Sequence, residues 1–136
     1  MTRQRSSFGL FGIFGRSEDL RQFDRALHSV DLHPRQVPEA VKLAAVNLLK
    51  DHAIGEDPAP QSYRAAAEIL GYCLLGEEVF ASANGDALAR QVKGRIGAAL
   101  EKTTGLDVQL ILLALHAGVV QPSVVQEFGL AAEPGN

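Results

Sequence analysis

Residues 106–121 read Leu-Asp-Val-Gln-Leu-Ile-Leu-Leu-Ala-Leu-His-Ala-Gly-Val-Val-Gln, and this stretch limits the fold more than any other. Asp107 is a candidate N-cap, because its carboxylate can accept from a free N–H of a first helical turn. Gly118 suits a left-handed C-terminal cap. Between them only Gln109 and His116 are strongly polar, and seven residues apart they share one narrow stripe of a helix. The rest of the circumference is Val108, Leu110, Ile111, Leu112, Leu113, Ala114, Leu115 and Ala117. A helix that apolar must be covered by several neighbours. It is too short for a bilayer, which takes about 20 apolar residues. The spacing therefore predicts a central helix at about 106–118, shielded by other helices or by a second copy of the chain.

At 136 residues the chain suits one domain with a core that needs no staples. Only 6% of residues are aromatic and none is Trp, so Leu, Val, Ile and Ala must fill that core. Such a composition favours packed helices over sheets. The single cysteine, Cys73, cannot form an internal disulfide, which fits a reducing compartment and hence the cytoplasm. A net charge of −3 argues against general binding to nucleic acid, which depends on neutralising phosphates.

Helical periodicity places the first helix from Ser17, with Leu20, Phe23, Leu27 and Val30 on one face. Pro38 opens a second helix to about residue 52. A third runs from Gln61 to Leu75, and the pattern continues through Gly76 with a kink towards Asn84. Gly71 in that helix suits the close approach of a neighbour. Asp86 caps a fourth helix, on which Arg90, Lys93, Arg95 and Lys102 read as a solvated basic face. After the 106–118 helix, Pro122 opens a short one closed by Gly129. The expected fold class is all-α: a compact bundle or orthogonal array of five main helices plus a short C-terminal helix. Residues 1–16 form an apolar and basic N-terminal arm, 17–132 a single helical domain and 133–136 a polar tail.

The chain offers no specific catalytic, metal or nucleotide motif, so no enzymatic activity and no cofactor are expected. Asp24, His28, Asp31 and His33 form the one cluster of metal-ligand residue types. They would hold a divalent ion if the chain after Asp31 folded back. Their spacing matches no defined metal site, and the simpler reading is a solvated helix edge with Asp24 and His28 paired at i,i+4. Cys73 falls on an apolar face and reads as core, not as a nucleophile.

Surplus apolar side chains carry the functional expectation. Leu43 and Val46 lie on the polar side of the second helix, while Val124, Val125 and Phe128 crowd the short last one. Together they predict a non-catalytic protein-interaction or self-association module, with a second copy or another protein as its partner. The arm supplies an alternative. Phe8, Leu10, Phe11, Ile13 and Phe14, with Arg3, Arg5 and Arg16, would dock on a membrane surface through residues 3–16. A signal peptide is not expected, since no small-x-small cleavage site follows the apolar run. A third reading is a small-ligand-binding bundle with Gln109, His116, His52 and Tyr72 as polar spots in its core.

Overall fold

The computed structural model describes the backbone of residues 9–54 and 56–130, and the side chains of residues 18–54 and 56–130. Within them are seven α-helices and no strand. In chain order these are α1 (Gly9–Ser29), α2 (Glu39–Ala53), α3 (Pro60–Leu75), α4 (Glu77–Asn84), α5 (Asp86–Lys102), α6 (Leu106–His116) and α7 (Pro122–Phe128). The all-helical, compact class expected from periodicity is what the chain adopts.

The predicted 106–118 helix is α6. It packs against α2, α3 and α5 and buries Val108, Leu110, Ile111, Ala114 and Leu115. Helix α3 shares the centre, with α1, α2, α4, α5 and α6 all against it. Its Ala66, Ala67, Ile69, Leu70, Tyr72 and Cys73 are almost wholly buried. Small residues make this crowding possible. A Cβ on Gly71 would lie 3.2 Å from both the Phe80 ring and a Val30 methyl, so α1 and α4 meet α3 where it has no side chain.

Several boundaries differ from the sequence reading. Helix α1 already covers Gly9, the first described residue, inside the segment read as an arm, and so does not begin at Ser17. Once a helix is nucleated, each added residue gains a hydrogen bond, and this outweighs the weak glycine propensity there. The third helix does not continue past Gly76 with a kink; it ends at Leu75 and α4 begins at Glu77. Gly76 (φ 89°) and Gly85 (φ 99°) are single-residue corners, and a left-handed φ at such a corner is cheap only for glycine. Asp86 and Asp107 are not N-caps. Gly85 and Gly105 hold those positions, and both aspartates sit in first turns, where a carboxylate still favours the helix dipole. Pro38 is the residue before α2, and Pro60 takes the first position of α3.

Polar groups carried into the interior lock the helices together. Asp19 on α1 is only 8% exposed. It accepts hydrogen bonds from Lys50 Nζ on α2 (2.7 Å) and from the Tyr63 hydroxyl on α3 (3.1 Å). One carboxylate thus ties three helices, and a charge-assisted bond of this kind contributes more than a neutral one. Beside it, Lys42 Nζ donates to Asp24 at 3.1 Å across the same α1–α2 seam. Replacing Asp19→Ala is expected to cost roughly 1–3 kcal/mol, because the buried tyrosine hydroxyl loses its acceptor. Arg21→Ala breaks an exposed 3.1 Å pair with Glu18 and should cost at most about 0.5 kcal/mol. Urea denaturation of the two variants beside the parent measures both; equal losses would contradict the clamp.

Candidate functional site

The buried and half-buried charges mostly serve the fold. Arg95, read from sequence as part of a solvated face, instead bridges three helices. Its guanidinium donates to Glu68 on α3 (3.0 Å), to both oxygens of Asp107 on α6 (3.0 and 3.3 Å) and to the Ala65 carbonyl (3.2 Å). The planar fork suits this geometry, as lysine would not. A second knot forms where α7 meets α3. The Tyr72 hydroxyl donates to Glu127 at 3.1 and 3.2 Å, and Lys93 of α5 lies 3.0 Å from the same carboxylate. Tyr72 also packs on Phe80 and Phe128. Sequence offered no sign of either knot, because the partners stand 12 to 55 positions apart.

Burial, then the carboxylates beside them, pushes the pKa values of Tyr63 and Tyr72 well above the ordinary phenol range. Burial alone pushes the Cys73 thiol up to about 12, and the side chain lies in the core, as its apolar face predicted.

Two of the four proposed metal ligands, Asp24 and His33, are drawn to other partners. Asp24 accepts from Lys42, not from His28. His33 Nδ1 accepts from the Arg35 N–H at 3.1 Å, capping a 3₁₀ turn at Pro34–Gln36, and the His33 backbone N–H donates to the Gln36 side-chain oxygen. A neutral imidazole has one acceptor lone pair, and here the cap uses it. His28 stands edge-on to His33 with ring centres 5.3 Å apart. Among the described residues no group of three or more metal-ligand side chains gathers.

The residues offered as contact surface divide. Val46 and Val124 are buried in the core and cannot meet a partner. Lys42, Val46 and Lys50 form an i,i+4,i+8 stripe that faces α1, where Asp24 and Asp19 await the two ammonium groups. A polar-looking side of α2 is thereby an interior seam. Leu43, Val125 and Phe128 are half-buried. The side chains of Phe8, Leu10, Phe11, Ile13 and Phe14 lie outside the described residues. Among the described residues, no helix is long and apolar enough to cross a membrane.

The polar residues offered for a ligand pocket are not gathered inside the bundle. Tyr72 is engaged by Glu127, and His52, Gln109 and His116 are exposed. A shallow open depression lies between Asp31 and the Glu78, Val79, Ser82 and Ala83 side of α4. It has little to enclose a small molecule.

Besides Ile54 at the end of α2 and Val79 on α4, a large apolar side chain is exposed on one side of α6. Gln109, Leu112 and His116 are exposed there, and Leu112, at 49%, is among the most exposed large apolar side chains. Half-buried Leu113 borders them. His52 at the end of α2 reaches across, with Nε2 2.7 Å from the Gln109 side-chain oxygen. Since an amide oxygen only accepts, the imidazole N–H is the donor. The sequence marked Gln109 and His116 as one stripe; Leu112, which lies between them on the same stripe, was missed because it was assigned to the covered circumference. No protein-family model, curated protein or solved structure matches this chain.

Two outcomes test the interior assignments. Arg95→Leu leaves Asp107 without its cation and Glu68 with only the exposed Arg64, and should lose about 1–3 kcal/mol in urea denaturation; an unchanged midpoint would contradict the bridge. Stability should also fall as pH rises above 9. Free cysteine and tyrosine ionise at 9.0 and 10.0, whereas the folded chain holds these protons more tightly. Above those values the unfolded state binds fewer protons than the folded one, so each group removes up to about 1.4 kcal/mol per pH unit. Cys73→Ala and Tyr63→Phe should each flatten that decline, measured by denaturation between pH 8 and pH 11.

Proposed function

We propose that this protein is a non-catalytic protein-interaction module whose contact face is the exposed stripe of α6. One observation carries the reading. Every helix from α1 to α5 shows at least one charged side chain to solvent, such as Arg21, Asp51, Arg64, Glu78 and Arg90. Helix α6 shows Gln109, Leu112 and His116, and its acid, Asp107, is turned to Arg95. Interface centres are depleted in charge, while surfaces that stay wet are rich in it. Covering Leu112 would add up to about 1 kcal/mol of apolar burial, with no ion to strip of water. The non-catalytic part of the reading draws support from the titratable groups inside the bundle. Asp19, Glu68, Tyr72 and Arg95 are each hydrogen-bonded to another helix.

A photo-reactive phenylalanine analogue replacing Leu112 in cells tests the assignment. It should cross-link to one defined protein, whether this chain or another, while the same group replacing Arg90 on α5 gives only background. Equal labelling at the two positions would overturn the reading.

A further inference from the structure

We infer that the partner seated on the α6 stripe is a second copy of this chain, with the two α6 helices antiparallel about a two-fold axis between Leu112 and Leu113. The inference rests on the interaction reading above and names its occupant. A two-fold interface joins one patch to itself, so the patch must be complementary to its own image. The stripe meets that demand. Gln109 lies three residues before Leu112 and His116 four residues after it. Reversing one helix about the midpoint between residues 112 and 113 sets Gln109 of each copy opposite His116 of the other, with leucine on leucine between.

The hydrogen-bonding groups fit the same arrangement. The Gln109 oxygen already accepts from His52, which leaves its amide N–H groups as donors. A neutral His116 ring offers one nitrogen lone pair as acceptor. Antiparallel pairing matches donor to acceptor twice, on either side of the axis. Parallel pairing would set amide on amide and ring on ring. No formal charge on the stripe opposes its own copy across the axis. A lipid surface is a poorer occupant, since the stripe carries no lysine or arginine for anionic headgroups. Eleven residues make a helix about 16 Å long, and one such helix pair buries less than the roughly 1,200 Å² of a stable complex. The dimer is thus a transient one, populated at high concentration.

Cysteine cross-linking of the full chain tests the geometry, because the native Cys73 is buried and unreactive. Leu112→Cys should form a disulfide dimer under mild oxidation with diamide, in roughly ten-fold or greater yield than Arg25→Cys on exposed α1. A mixture of Gln109→Cys and His116→Cys, one carrying a mass tag, should yield the mixed dimer in excess of either homodimer. Circular dichroism melts of all four variants check that the fold is kept. Homodimers at 109 and at 116 without the mixed species would overturn the antiparallel arrangement. Yield from Leu112→Cys no greater than from Arg25→Cys would overturn self-docking altogether. If position 112 then captures a different protein in cells, the interaction reading stands and only this inference fails.

Discussion

Packing five helices around α3 forces nearly everything else. A helix pressed by five others must satisfy each polar atom it carries inward, since an unmet buried donor costs on the order of 1–3 kcal/mol. Tyr63, Glu68 and Tyr72 are those groups, and each reaches a different set of neighbours. Tyr63 finds Asp19 of α1, Glu68 finds Arg95 of α5, and Tyr72 finds Glu127 of α7. The three bonds are spaced along the helix axis, so they fix the surrounding helices in height as well as in position. Apolar packing alone is non-directional and would leave that register looser.

Short connections supply the second constraint. Helices α3, α4 and α5 follow one another through one residue at each corner, and both corners are glycines at positive φ. Such a joint turns the chain without a loop, and it brings Phe80 of α4 back onto Gly71 and Tyr72 of α3. The Asn84 side chain then donates to the Val30 carbonyl at 3.0 Å, closing the end of α1 against α4. With the polar groups of the interior tied up in this way, α6 is left with an exposed stripe, Gln109, Leu112 and His116, that carries no charge.

The apolar periodicity of residues 106–117 and the broad faces of the other helices were enough to establish an all-helical chain, and to place Cys73 and Gly71 inside it. Local signals erred where a glycine and an acid compete for a helix start. Asp86 and Asp107 look like caps in isolation, yet the preceding glycines take the non-helical position because the corner demands their backbone geometry. The stripe formed by Lys42, Val46 and Lys50 misled for a different reason. Two lysines beside a valine look like a solvated edge until two aspartates of α1 are set against them.

By itself, then, the sequence determined the helices, their apolar faces and the need to cover residues 106–117, since these follow from period and hydrophobicity over neighbouring positions. Tertiary structure decided which charges became clamps and which side of α6 stayed open. Those outcomes depend on side chains dozens of positions apart meeting at hydrogen-bond distance. A residue's value as core, clamp or contact is set by what another helix places beside it.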